Sequence, residues 1–194
     1  MALDALSDVS DEALLVLYAN GDPAAARALT LRMTPRVLAF AARILGGDRA
    51  EAEDVAQEAM LRLWRVAPDW RQGEAKVTTW LYRVVSNLCT DRLRRRRHAD
   101  IDSVPEPEDG APAALARLIE ADRAQALETA LQALPERQRQ AVVLRHLEGL
   151  ANPDIAEIMD IGVEAVESLV ARGKRALTAV LAGRRDELGY EDEI

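Results

Sequence analysis

The 194-residue sequence contains a single cysteine, Cys89, and two histidines, His98 and His146. One thiol closes no internal disulfide, which excludes a disulfide-built secreted scaffold. Three soft ligands scattered along the chain leave a zinc site or a Cys-His nucleophile pair almost nothing to be built from. No catalytic residue, metal or cofactor is expected, and the chain does not read as an enzyme. No stretch of about 18 apolar residues is present to span a bilayer. The first residues carry Asp4, Asp8, Asp11 and Glu12 with no early Lys or Arg, unlike the basic start of a signal peptide. These absences predict a soluble protein of the reducing cytoplasm with no membrane insertion. What is plentiful is apolar residues, 49% of the chain, enough to bury the core of one ordinary domain or two small ones.

The formal charge of -8 argues against a polyanionic partner only while the distribution of charge is ignored. From Trp70 to Arg97 eight basic residues face only Glu74 and Asp91, a local balance of +6, so the remainder carries -14. Acid gathers in Ser7 to Asp22, Asp100 to Asp109 and Asp186 to Glu193. A smaller basic group, Arg172, Lys174, Arg175, Arg184 and Arg185, precedes the acidic tail. Two basic islands thus sit in an acidic chain.

Apolar residues recur at three- and four-residue spacing, and alternating β-branched runs are missing, which predicts an all-α fold. The segment His98 to Pro112, with Pro105, Pro107, Gly110 and Pro112 among acids, reads as a solvated linker between two helical halves. In the first half, helices are expected over Asp11 to Ala19, from Pro23 to about Leu45, from Asp48 to before Pro68, and from about Ala75 into the arginine run. Asp22-Pro23 and Asp48 supply caps, and Pro35 is expected to bend or divide the second helix. In the second half, one helix covers Ala113 to Leu134 and another runs from Pro135 to Gly149. A two-turn helix then begins at Asn152-Pro153, and a turn through Asp160 and Gly162 leads to a longer helix from Val163. Short helix, glycine-containing turn and longer helix is the pattern of a helix-turn-helix, whose second helix meets base edges in the major groove.

Trp64, Trp70 and Trp80 lie close together in a chain with few aromatics. Each alone fits a plain core. Trp70 and Trp80, flanking a loop beside the basic helix, also fit a surface where rings stack on unpaired bases. The Arg92 to Arg97 run fits a solvated helix end or a patch that neutralises phosphate.

The run Ala52-Glu53-Asp54-Val55-Ala56-Gln57-Glu58-Ala59-Met60-Leu61-Arg62-Leu63-Trp64, then Trp70 to Arg83, then Asn87 to Arg97, resembles region 2 of bacterial extracytoplasmic-function sigma factors of the sigma-70 family. Leu134-Pro135-Glu136-Arg137-Gln138-Arg139 and Gly149-Leu150 to Leu177 resemble region 4 of the same family. The resemblance covers about residues 10 to 182. It implies region 2 over 1–97, a linker over 98–113, region 4 over 114–183 and an acidic tail over 184–194. The implied function is a sigma factor that directs core RNA polymerase to promoters, stress-responsive and held by an anti-sigma factor.

The same resemblance assigns roles to individual positions. Asp54, Gln57, Glu58, Leu61 and Trp64 would dock on the β′ clamp helices of polymerase, with the β flap as a second core contact. Arg71, Lys76, Trp80, Arg83 and Asn87 would read the opened minus-10 element, with a base flipped toward the loop from Trp70 to Val77. Arg92 and Arg94 to Arg97, Arg95 among them, would hold phosphate. Glu164, Glu167, Ser168, Arg172 and Lys174 would meet the minus-35 element. Glu167 and Leu169 depart from the basic residues usual in the recognition helix. Glutamate is repelled by phosphate, yet it accepts a hydrogen bond from cytosine N4 when aimed into the groove. Two rival readings follow from the same residues: a stand-alone helix-turn-helix regulator, and a sigma-like decoy that titrates an anti-sigma factor.

Overall fold

The computed structural model describes residues 6–71, 73, 75–99 and 115–182. Among these residues there is no strand, and the elements are eight α-helices with two short irregular turns. The linker residues 100–114 and the acidic tail lie outside the described residues.

Helix starts follow local capping chemistry. The Ser10 hydroxyl accepts from the Ala13 amide at the head of α1 (Asp11–Ala19). Asp22 accepts from the Ala24 and Ala25 amides ahead of Pro23, the first residue of α2 (Pro23–Ile44). Asp48 accepts from Glu51 at the head of α3 (Arg49–Val66). In each case a side-chain oxygen satisfies an amide that has no partner within its own helix. A 3-10 turn at Ala67–Asp69 then leads toward α4 (Val77–Ala99). Helix α4 runs two residues into the segment expected to be linker, because His98 and Ala99 continue the arginine turn.

Pro35 does not divide α2, which is continuous across it. Proline removes one intrahelical hydrogen bond, but Leu29, Met33, Val37, Phe40 and Ile44 form one buried stripe on both sides of it, and their burial holds the helix through the defect. The Phe40 ring meets Tyr82 of α4 edge-on, with centroids 5.2 Å apart.

The second half comprises α5 (Leu115–Gln132), α6 (Glu136–Val142), α7 (Asn152–Met159) and α8 (Val163–Ala182). The single helix expected from Pro135 to Gly149 is broken. After α6 the chain widens into a π-helical turn over Val143–Leu147 that keeps Val143 and Leu144 buried, then reverses at Gly149 with φ of 72°. Asn152 is not the cap of α7. It is already helical, Ala151 takes the cap position, and the Asn152 Oδ1 atom is buried with no hydrogen-bond partner among the described residues. In the turn to α8 the left-handed position is Asp160, φ 52°, rather than Gly162, a conformation that aspartate tolerates better than most residues. The first and second halves share one continuous core, with α7 packed on α4 and both α5 and α6 touching α2.

Candidate nucleic-acid and protein interfaces

Helix α3 lies beside α2, and between them runs an apolar groove of about 380 Å³ lined by Thr34, Leu38, Ala56, Gln57, Met60, Leu61 and Trp64, with Glu53 at its edge. Leu61 is 43% exposed there, and Thr34 Oγ1 is buried without a hydrogen-bond partner among the described residues. Gln57, Leu61 and Trp64 therefore share one concave surface. Asp54 and Glu58, expected with them, face away from the groove. Asp54 Oδ2 lies 4.0 Å from Arg92 Nη1 of α4, and Glu58 is paired with Arg62 at 2.8 Å, a bond that lowers the Glu58 pKa and keeps the carboxylate charged. Thr34 and Leu38 come from α2, and no periodicity within α3 points to them. Trp64 is half-buried against Tyr18 of α1, with ring centroids 4.6 Å apart.

Along α4 the expected DNA-reading residues separate. Arg71 and Arg83 are exposed. Trp80 is half-buried and packs edge-on against Trp70, centroids 6.1 Å apart. Lys76 Nζ reaches both carboxylate oxygens of Asp154 in α7, each at 3.0 Å. Asn87 is exposed at the mouth of a cleft of about 390 Å³ between α4 and the second half, lined also by Ser86, Thr90, Arg97, Glu136, Gln140 and Met159.

The arginine run is likewise not uniform. Arg94 pairs with Asp91 one turn back at 3.1 Å, and Arg95 is exposed. Arg96 donates to Glu51 of α3, to its cap Asp48 and to the Leu45 carbonyl just past the end of α2, which makes it a tie between helix ends. Arg97 donates to Glu136 Oε2 at 2.6 Å.

On α8, Glu164, Glu167, Ser168 and Arg172 are exposed, and Arg172 Nε donates back to the Ser168 carbonyl at 3.3 Å. Lys174 stands apart from Glu164 and Ser168. It borders a second apolar groove of about 200 Å³, with Leu127, Leu131, Val142, His146, Leu147 and Leu177. Burial and the charges of Lys174 and Arg145 hold the His146 imidazole below its ordinary pKa. Arg175 is exposed and was not among the expected contacts. It follows Ser168 by seven residues, two turns along the same face, and that spacing would have found it. Gly173 is buried where α8 crosses α6, and a Cβ on it would meet Val142 Cγ2 at 2.5 Å. No helix among the described residues is long and apolar enough to cross a membrane.

Residues 29–99 match the family model described as Sigma-70 region 2, and residues 124–177 match that described as Sigma-70, region 4. The chain is 36% identical over 172 residues to the ECF RNA polymerase sigma factor SigM of Mycobacterium tuberculosis, covering 89% of this chain and 85% of that one. It is 32% identical over 187 residues to the RNA polymerase sigma-H factor of Pseudomonas aeruginosa, covering 91% and 96%. Among solved structures it is similar to CnrH, solved in complex with the cytosolic domain of CnrY, with a TM-score of 0.64, 26% identity and coverage of 89% and 97%.

Proposed function

The chain belongs to the extracytoplasmic-function sigma factors of the sigma-70 family, the subunits that direct core RNA polymerase to promoters, and from that premise we propose how its surfaces divide the work. The α2–α3 groove docks on the β′ clamp helices of polymerase. The observation that carries this reading is the groove itself: an apolar channel with an exposed leucine, Leu61, and an unpartnered buried hydroxyl, Thr34. A partner side chain laid there removes apolar surface from water and satisfies the hydroxyl in one step. Asp54 and Glu58, which face away from the groove, extend the contact beyond it as charged groups, where ion pairs add specificity more than affinity.

The α4 face with Arg71, Lys76, Trp80, Arg83 and Asn87 reads the opened minus-10 strand, and Arg92, Arg94 and Arg95 neutralise its phosphates. Arg96 is a fold residue in this reading, because its guanidinium is already committed to α3 and α2. Glu164, Glu167, Ser168 and Arg172 on α8 read the minus-35 duplex, joined by Arg175. Lys174 borders the groove between α5 and α8, which receives the β flap through Leu147 and its apolar neighbours. Region 2 over 1–97, linker over 98–113, region 4 over 114–183 and acidic tail over 184–194 belong to the same reading. So do a cytoplasmic location, a role as initiation factor rather than enzyme, a response to stress and control by an anti-sigma protein. The CnrH chain bound to the cytosolic domain of CnrY supports a protein partner of this kind.

The test is in-vitro transcription with sigma-free core polymerase on a library of upstream regions. Discrete start sites are expected only when the chain is present. Core binding without any start site would turn the question to promoter choice or inhibition, and no core binding at all would favour the decoy, a reading to which the exposed Glu167 on α8 lends support.

A further inference from the structure

The outer face of α8 carries its charges in an order that phosphate alone would not select. Val166 and Gly173 are buried, and Leu169, Val170 and Leu177 pack partly buried on the same side. Glu164, Ser168, Ala171 and Arg175, spaced by four, three and four positions and all exposed, lie on the opposite side. Glu167 and Arg172 flank them, one on each edge, and are exposed as well. The N-terminal part of this surface therefore carries two carboxylates and a hydroxyl, and its cations begin only one turn later. In a helix-turn-helix that N-terminal part is what meets base edges. Glu164 has a reason within the helix, since it stands in the first turn, where a carboxylate complements the dipole. Glu167 has none. It lies past the first turn, and its neighbours three and four positions away are Val163, Glu164, Val170 and Ala171, one of them a like charge that opposes the helix. It makes no hydrogen bond or ion pair among the described residues. Beside duplex phosphate its charge is repelled, and a bond made at a base edge is what offsets both costs.

We propose that Glu167 is a specificity residue of this chain and that its carboxylate reads a cytosine in the minus-35 duplex. This rests on the reading of α8 as the minus-35 helix. An ionised carboxylate only accepts hydrogen bonds. The major groove offers it two donors, cytosine N4 and adenine N6, and adenine sets the N7 acceptor beside N6, where a carboxylate oxygen is repelled. Cytosine N4 is the donor that remains. Arg172 and Arg175, one and two turns further along α8, supply the charge that holds the helix on the duplex.

Base preference is the readout, because loss of one negative charge raises affinity for any duplex. On a promoter that gives a discrete start with the full chain and core polymerase, the minus-35 segment is randomised, and each template is identified by a barcode downstream of the start. Sequencing of the transcripts against the input pool then scores every base at every position. The parent chain is expected to favour cytosine at one position of one strand by at least about five-fold. Glu167→Gln, whose amide matches adenine N6 and N7, is expected to favour adenine at that same position, and Glu167→Ala to show less than about two-fold preference there. Glu157→Gln, at an exposed acid of α7 outside the proposed contacts, removes the same charge and keeps the parental cytosine. Absence of any cytosine preference in the parent chain, its persistence in both Glu167 variants, or its loss in Glu157→Gln overturns the proposal. Starts indifferent to the whole minus-35 segment overturn the reading of α8 itself, and the cytosine contact with it. A minus-35 dependence that ignores Glu167 leaves that reading standing and sinks only the cytosine contact.

Discussion

The carboxylate of Glu12 in α1 accepts a hydrogen bond from the Val77 amide at 3.0 Å, across 65 residues of chain. Lys76 precedes the first turn of α4 and has no oxygen in its side chain to cap it, so a side chain from another helix does so. A carboxylate at a helix N-terminus satisfies an orphan amide and complements the helix dipole. Glu12→Ala should cost about 1 kcal/mol and speed amide exchange at Val77 more than in α8. Denaturant unfolding and hydrogen exchange check this, and unchanged exchange at Val77 would show that the cap is not kept in solution.

Gly173 is a helix-interior glycine that a helix-propensity argument would replace. Alanine there gains roughly 1 kcal/mol of intrinsic preference, yet its Cβ would fall 2.5 Å from Val142 Cγ2 and 3.3 Å from the Gln138 carbonyl. Overpacking of this kind costs about 1–3 kcal/mol, so after that gain Gly173→Ala should be destabilising by about 1 kcal/mol net and by no more than about 2. The contrast variant is Ala171→Gly, on the exposed face of the same helix, which should lose only the propensity term. Equal or greater stability in Gly173→Ala would mean that α6 and α8 pack less closely than described.

Leu61 and Asn87 divide two functions that a general loss of folding would remove together. Leu61→Asp should leave the melting temperature almost unchanged, since the side chain is 43% exposed, and should weaken core-polymerase binding by about 2 kcal/mol, the scale of an interface anchor. Asn87→Ala should do the reverse, sparing core binding while lowering promoter melting and minus-10 discrimination. Pull-down with core polymerase and permanganate footprinting of the opened strand measure the two. Parallel losses in either variant would assign that residue to the fold.

Burial pushes the Cys89 thiol from 9.0 up to about 12, and burial together with the Glu148 carboxylate pushes the Tyr82 hydroxyl further above its ordinary range. Both groups bind their protons more tightly folded than unfolded, so the stability they contribute is full below the unfolded pKa and is lost as pH rises toward the folded one. The melting temperature should therefore fall from about pH 9 upward, within the interval that the two thiol values bound. Cys89→Ala should flatten part of that fall. An identical alkaline profile in the variant would assign the whole effect to other groups.

Helix positions were legible because their signals are local. Asp22-Pro23 and Asp48 cap the helices they precede, and the α2 stripe is written at helical spacing. Pro35 and the π-helical turn at Val143–Leu147 ran against local signals, since in both places burial of neighbouring apolar side chains outweighs backbone preference. At the candidate sites, Gln57, Leu61 and Trp64 were legible as one surface, whereas Thr34 and Leu38 were not, because they reach the groove from another helix. Arg96 shows the limit most plainly. Inside a run of arginines it reads as one more phosphate contact, but the fold brings Asp48, Glu51 and the Leu45 carbonyl to it.

Composition and spacing were enough to determine an all-α chain with two helical units and a basic helix in an acidic background, and the resemblance of its motifs to known ones pointed to the family. The tertiary structure decided which charges are available. Lys76 and Arg97 are occupied by Asp154 and Glu136, and Glu148 is buried against Tyr82, Arg36 and Arg43. Local periodicity sets which face of a helix is apolar. It carries no information about which opposite charge arrives from a helix some 40 to 110 residues away, and in an ion pair that partner is what determines whether a basic side chain is free for DNA.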